Sequence, residues 1–268
     1  IEIKCSLGSN MSVSAHSAEA RTKNISNLSG PLHITSFGGF IRVGDSQYRD
    51  DLYVYSFNGD CIVVNHVDLE KYVAGVLNSE MNAKWGLDTL KAQAIAARTY
   101  AIYQMRDGAT TKYKGLRAPF DVQGNVNDQV YEGAHQERYK ALKAVQETRG
   151  QVLTYKDKPI KAFYHSTCGG QTETPDRVWG TRLPYFRAVR CDFCGKSPRF
   201  NWVHSLPVEQ LEQKLHREKL LWGKLLSIRV FNRNNIGRAD KVEVRSDKGS
   251  QLISATRIRE LAGAASIM

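Results

Sequence analysis

The chain is predicted to be an α+β protein, with mixed strands and helices that occupy separate stretches of sequence. Three observations predict this. Between residues 31 and 66, short runs rich in β-branched and aromatic residues follow one another, and Asn58-Gly59 separates two of them as a two-residue hairpin turn does. Between 68 and 105 the apolar spacing lengthens to three and four residues, which describes a pair of helices. Beyond 220 the text of strands returns, so the helix pair lies between strand-rich N-terminal and C-terminal parts.

The elements follow in order. Residues 1–30 are polar, with frequent Ser and Asn, and read as loops and weak strands. Strands are expected over 32–36, 40–43, 52–57 and 61–64. Asp68 is placed to cap a short helix over 69–77. A second helix over 88–105 takes Asp88 as its cap and buries Leu87, Leu90, Ala94, Ala97 and Ala101, a face small enough for another backbone to pack closely. An irregular loop over 106–131 carries Gly108, Gly115, Pro119 and Gly124. A third helix over 133–148 ends at Gly150, a residue suited to follow a helix. Alternating strands over 151–155 and 160–165 form a hairpin around Lys156-Asp157-Lys158-Pro159. After a loop-rich stretch to about 201 come a helix over 207–217, strands over 226–231 and 241–245, and a helix over 256–262.

Composition narrows the partners. A net charge of +11 favours an anionic partner: nucleic acid, anionic lipid or an acidic polymer such as a cell-wall glycan. No block of five like charges appears, which argues against a nucleic-acid tail. No apolar run reaches the ~18 residues of a membrane span, and Ile1-Glu2-Ile3-Lys4-Cys5 does not open a leader peptide. Five cysteines, an odd and sparse set, do not describe a disulfide scaffold.

Two constellations could carry chemistry. Glu80 stands among apolar neighbours in Gly75-Val76-Leu77-Asn78-Ser79-Glu80-Met81-Asn82, between the first two helices. Desolvation disfavours the charged form of a carboxyl, and a general acid has to hold its proton. Lys91, Gln93, Arg98 and Tyr100 follow on the second helix, and Lys91 and Arg98, two turns apart, share a face that could hold a sugar carboxylate or hydroxyl. The plain alternative is a surface glutamate beside solvated helix charges. The second constellation is His165-Ser166-Thr167-Cys168 followed by Cys191-Asp192-Phe193-Cys194, an H-x2-C-x22-C-x2-C spacing that suits tetrahedral zinc. A Cys191–Cys194 disulfide, free buried thiols, a cysteine nucleophile served by His165, or His204 as the fourth ligand remain open at this point. Cys5 and Cys61 show no partner pattern, and Cys61, within a strand, reads as core.

Val64-Asn65-His66-Val67-Asp68-Leu69-Glu70-Lys71-Tyr72-Val73-Ala74-Gly75-Val76, leading to Glu80-Met81 and then Leu90-Lys91-Ala92-Gln93-Ala94-Ile95-Ala96-Ala97-Arg98-Thr99-Tyr100, resembles the stage II sporulation protein D family of lytic transglycosylases. Gln129-Val130-Tyr131-Glu132-Gly133, Tyr164-His165-Ser166-Thr167-Cys168-Gly169-Gly170-Gln171-Thr172-Glu173, Val178-Trp179-Gly180 and the tail from Gly237-Arg238 to Ile258-Arg259-Glu260-Leu261 extend the likeness. The resemblance implies one catalytic domain over 41–268, with 1–40 an N-terminal extension of unassigned role. It implies an exported protein of the periplasm or cell envelope that cleaves the β-1,4 bond between N-acetylmuramic acid and N-acetylglucosamine, leaving 1,6-anhydro ends on peptide-free glycan. On that basis Glu80 is the catalytic acid in a cleft. Lys91, Gln93, Arg98 and Tyr100 line or support it, and His165, Ser166 and Gly169 form its opposite wall. A structural zinc on His165, Cys168, Cys191 and Cys194 fits members of the family that carry a metal, and no organic cofactor is implied. Peptidoglycan glycan strands, and an amidase that strips stem peptides, are the implied partners. A zinc-dependent amidase and a non-catalytic wall-binding protein are the alternative readings. The chain departs from the family in having Asn82 where proline usually follows the Glu-Met pair, so the turn behind Glu80 lacks its stiff residue.

Overall fold

The computed structural model describes residues 2–5, 10–16, 22–36, 38–57, 59–82, 84–107, 112–113, 115–134 and 138–264. The architecture is α+β, and it divides into two compact units, Ile1–Tyr164 and His165–Met268.

The first unit begins with strands where loops and weak strands were expected. β1 (Glu2–Cys5), β2 (Asn10–His16) and β3 (Thr22–Ser29) form an antiparallel sheet in chain order. β4 (Leu32–Ile34), β5 (Ile41–Val43), β6 (Ser46–Tyr48), β7 (Asp51–Phe57) and β8 (Asp60–His66) follow. β5 and β6 pair as a small ribbon, while β4, β7 and β8 form a second antiparallel sheet. Its β7–β8 hairpin pairs Phe57 with Asp60 around the predicted two-residue turn, whose Asn58 lies outside the described residues. Leu52 and Val54 are the buried face of β7, at the two-residue period of a half-buried strand.

The helices form the core of this unit. α1 (Leu69–Glu80) is capped by Asp68, whose carboxylate accepts from the N–H groups of Glu70 and Lys71. It runs three residues further than predicted, so Glu80 is its last residue rather than part of a linker. α2 (Leu87–Asp107) starts one residue before Asp88, which therefore sits in the first turn and complements the helix dipole instead of capping. The predicted small face of α2 is buried: Leu90, Ala94 and Ala97 pack with Val73, Val76 and Leu77 of α1. β9 (Lys112–Tyr113) and β10 (Leu116–Arg117) put a short hairpin into the expected loop. α3 (Tyr139–Glu147) supplies Ala141, Ala144 and Val145 to the same core. It starts later than predicted because Gly133 bridges to Gln47 and the Ala134 N–H bonds the Gln47 carbonyl. Gly133 has φ +77°, and a Cβ there would lie 2.1 Å from the Gln47 oxygen, so only glycine fits. β11 (Thr154–Tyr155) and β12 (Lys158–Pro159) make a shorter hairpin than predicted. Lys156 and Asp157 both have positive φ, so the turn closes in two residues.

The second unit is loop-rich at first, with a one-turn helix, α4 (Pro175–Trp179). α5 (Val208–Arg217) then precedes an antiparallel sheet of β13 (Leu225–Arg233), β14 (Ala239–Ser246) and β15 (Gly249–Ser254), the last missed in the sequence. α6 (Ala255–Ala262) is capped by Ser254. Leu215 of α5 packs on Val242, Val244 and Ile253, closing this core.

Candidate functional site

Glu80 is half-buried at the end of α1. Its Oε1 accepts the Val130 N–H at 2.8 Å. That amide belongs to the segment 129–133, which crosses α1 where Gly75 allows it to approach. A Cβ on Gly75 would lie 2.5 Å from the Tyr131 ring and 2.7 Å from the Gly133 oxygen. Thus a glycine one turn before the carboxylate sets how close its backbone partner comes. Behind Glu80, the Asn82 side chain accepts from the Lys84 N–H at 2.9 Å and its carbonyl accepts from the Trp85 N–H. This side-chain turn holds the corner where the family's proline is missing.

A hydrogen-bonded set of phenols and amides adjoins the carboxylate. The Tyr164 proton is held more tightly than usual, first by burial and next by the Glu80 charge. Gln129 is fully buried. Its Nε2 donates to the Tyr164 oxygen at 3.2 Å and to the Ala97 carbonyl at 3.3 Å, and its Oε1 accepts from Tyr72 at 3.0 Å. Burial also pushes the Tyr72 phenol up. Asp128 stands in the same set. One of its oxygens accepts from Tyr100 at 2.5 Å and Gln104 at 3.2 Å, and the other accepts from the Gln123 N–H at 2.9 Å.

The residues expected on α2 divide. Tyr100 is buried and joins the Glu80 surroundings through Asp128. Gln93 shares its face of the helix, and its Nε2 is buried without a hydrogen-bond partner among the described residues. Lys91 and Arg98 do share a face, but both are drawn into internal pairs. Lys91 pairs with Glu147 at 2.5 Å. Arg98 is fully buried, grips Glu70 through two nitrogens at 2.6 and 3.0 Å, and donates to the Gln151 carbonyl. The reason is α3: its C-terminal end lies along that face, so the guanidinium holds helices together rather than standing in a cleft. Glu80, Val130, Gln129, Tyr164 and Asp128 are thus gathered in space from positions up to 84 apart, and the roles of Gln129, Tyr164 and Asp128 were not visible in local pattern.

A cavity of about 970 Å³ lies elsewhere in this unit, walled by Tyr53, Tyr55, His66, Tyr113, Phe120 and neighbours. Tyr72 and Tyr131 reach it, but Glu80 does not line it, so volume alone does not locate the chemistry.

In the second unit, Cys168, Cys191 and Cys194 gather with their sulfurs within 4.8 Å of one another, and all three are free thiols. Sγ of Cys194 lies 3.2 Å from that of Cys168 and 3.9 Å from that of Cys191. Gly169 and Gly170, both at positive φ, turn the chain so that the Gly170 carbonyl takes the Cys191 N–H at 2.9 Å. Arg238 clamps the same turn by donating to the Cys168 and Gln171 carbonyls. Burial pushes the Cys168 thiol up to about 11, while backbone and thiol donors from Cys168 hold the Cys194 thiol below its ordinary value. Tetrahedral zinc with sulfurs at about 2.3 Å would space them about 3.8 Å apart, close to what is seen. The expected fourth ligand is corrected: the ring nitrogens of His165 fall outside this group, and His204 is bonded to the Ala262 carbonyl. His165, Ser166 and Gly169 are exposed. The His165 ring nonetheless loses proton affinity, first through partial burial of the ring and then through the Arg238 charge. Cys61 is also corrected. It lies on the outward side of β8, exposed, and is disulfide-bonded rather than core. Cys5 lies in β1, and its side chain is outside the described ones.

The family model described as "Stage II sporulation protein" matches residues 57–155. An uncharacterized protein of Brachyspira hyodysenteriae is 32% identical over 198 residues, covering 74% of this chain and 52% of that protein. Stage II sporulation protein D of Bacillus subtilis is 32% identical over 160 residues, 57% of this chain and 47% of its own length. An amidase enhancer of Bacillus subtilis is 37% identical over 140 residues, 52% of this chain and 17% of its length. The chain spans about half the length of the first two relatives. Glu80, Val130 and Gln129 all fall inside the matched segment, and over residues 57–155 the chain carries a domain of the stage II sporulation protein family.

Proposed function

We propose that this protein acts on the bacterial cell wall as a peptidoglycan lytic transglycosylase, with Glu80 as its acid and then its base. One observation carries the reading: Glu80 is fixed by a backbone N–H, while Asp128, a second carboxylate of the same surroundings, has both oxygens occupied. Ordinary glycosidases need two working carboxyl groups. A reaction in which the substrate supplies its own nucleophile needs one. Glu80 gives its proton to the glycosidic oxygen as the C1–O bond breaks. The 6-hydroxyl of the muramic residue then forms a bond to C1, and its proton returns to the Glu80 carboxylate, closing the cycle. Gln93 and Tyr100 are the glycan contacts of this reading in the first unit, and the exposed His165, Ser166 and Gly169 are candidate contacts of the second unit. Lys91 and Arg98 support it from within the helix packing.

The surroundings agree. A net charge of +11 suits glycan whose lactyl carboxylates are bared by removal of stem peptides. The disulfide of Cys61 belongs to an oxidising compartment, in line with an exported, cell-envelope protein. No helix among the described residues is long and apolar enough to cross a membrane. The three thiols suit a structural zinc, which would supply a brace for the turn after His165 and keep the thiols from oxidation.

The test is mass spectrometry of products from peptide-free glycan. The wild type should release 1,6-anhydro-muramyl fragments, and Glu80→Gln should not. Equal turnover by both would refute the assignment. The likeness to an amidase enhancer supports a second reading, a wall-binding protein that assists an amidase. It predicts glycan binding without product from the wild type.

A further inference from the structure

The cavity of about 970 Å³ in the first unit is at the upper end of the range of ligand pockets, about 300–1,000 Å³, with room for more than one sugar ring. Three kinds of group wall it. The first is aromatic: Tyr53, Tyr113 and Phe120. Tyr53 stacks on His33 at 4.6 Å and meets His66 at a steep angle at 5.8 Å. Tyr113 meets Phe57 and Phe120 at steep angles, and its hydroxyl donates to Asp60 at 3.2 Å. The rings are therefore held before a ligand arrives, so binding loses little side-chain entropy. The second is backbone. Residues 62–67 line the cavity, and β8, which holds most of them, ends its sheet. The outward N–H and C=O groups of an edge strand are open to a ligand. The third is a charge. Arg117 is exposed on the wall and makes no ion pair among the described residues. Asp121, the acid among the lining residues, is engaged by a partner of its own.

These groups match one ligand chemistry. A pyranose has apolar C–H faces that lie on aromatic rings, with polar groups around its edge. An acetamido group is a peptide-like donor and acceptor, which suits a strand edge. A free carboxylate suits an arginine, through two parallel hydrogen bonds. We infer that the cavity binds a non-reacting stretch of peptide-free glycan, an N-acetylated saccharide seated on Tyr53, Tyr113 and Phe120 with a lactyl carboxylate on Arg117. This rests on the peptidoglycan reading for the identity of the ligand. The cavity is separate from Glu80 but joined to it. Tyr131 lines the cavity and follows Val130, whose N–H holds Glu80. Tyr72, also on the wall, donates to Gln129 at 3.0 Å. Glycan held here is gripped beside the segment that positions the acid, so binding energy from unreacting sugars serves to place the reacting bond. Removal of a stem peptide bares the carboxylate, so Arg117 distinguishes peptide-free glycan from glycan that still carries peptides.

The test uses the full chain as Glu80→Gln, labelled at its methionine methyl groups and followed by NMR. Met105 lines the cavity and Met81 adjoins Glu80, so each reports on one place. Soluble peptide-free glycan fragments should move the Met105 signal saturably. Arg117→Ala should weaken the binding read at Met105 about tenfold or more, and Tyr113→Ala should do the same. Fragments with their carboxylates reduced to alcohols should bind the parent as weakly as native fragments bind Arg117→Ala, and Arg117→Ala should not tell the two apart. Arg117 is exposed, so its variant decides even where Tyr113→Ala does not fold. Unchanged affinity in Arg117→Ala overturns the inference. So does a stem peptide that moves Met105 where glycan does not, which would make the cavity a peptide site. If Met81 moves and Met105 does not, the cavity is refuted and glycan binding at Glu80 stands; if neither moves, both fall. A wild type that yields no 1,6-anhydro product refutes the transglycosylase reading, and Met105 still judges the cavity.

Discussion

Replacing Arg98 by Met tests whether the guanidinium is an internal brace or a group held ready for substrate. Arg98 is 0% exposed, and the Glu70 carboxylate it grips is 15% exposed. Besides its two bonds to Glu70, it donates to the carbonyls of Gln151 at 3.1 Å, Ala94 at 3.4 Å and Val145 at 3.5 Å. The Gly150 N–H also bonds Glu70, at 3.2 Å. Methionine keeps much of the volume but leaves Glu70 buried and without its cation. Breaking a buried pair from one side costs about 3–5 kcal/mol. For a unit of this size that is a fall in Tm of roughly 10 °C. Replacing both partners, Glu70→Gln with Arg98→Met, removes the stranded charge, so the double variant should recover part of the loss, with a coupling of about 1–3 kcal/mol. Urea unfolding of the four proteins measures this. A loss under ~1 kcal/mol in Arg98→Met, or strict additivity in the cycle, would refute the brace and return Arg98 to the list of substrate groups.

Two further outcomes follow from the same geometry. The three thiols should take up one equivalent of zinc or cobalt, with thiolate charge-transfer absorption for cobalt, and Cys168→Ser should weaken uptake at least tenfold. Uptake equal to that of a variant lacking all three cysteines would exclude the site. Tyr72, Tyr100 and Tyr164 all hold their protons above the ordinary tyrosine range, chiefly by burial. Their folded-state values are raised, so the stability they contribute is complete below the unfolded value of about 10 and is lost as pH rises beyond it. In an alkaline titration followed at the phenolate band, these three should ionise only with unfolding. Reversible ionisation of all tyrosines near pH 10 in the folded protein would contradict the buried set.

The sequence by itself determined the α+β class, the β7–β8 hairpin, the Asp68 cap and the small buried face of α2, because each is written in local spacing or in one or two turn residues. It also singled out Glu80 and the three cysteines. The tertiary structure alone decided what surrounds them. Whether Arg98 meets solvent or Glu70 depends on where the end of α3 lies, and helical spacing cannot report that. Whether His165 joins the sulfurs depends on a turn shaped by Gly169, Gly170 and Arg238. The backbone partner of Glu80 comes from 50 positions away, in a segment whose close packing depends on Gly75 and Gly133, which permit backbone approach that any Cβ would prevent. Periodicity shows which side of an element is buried. Only the packed chain shows against what.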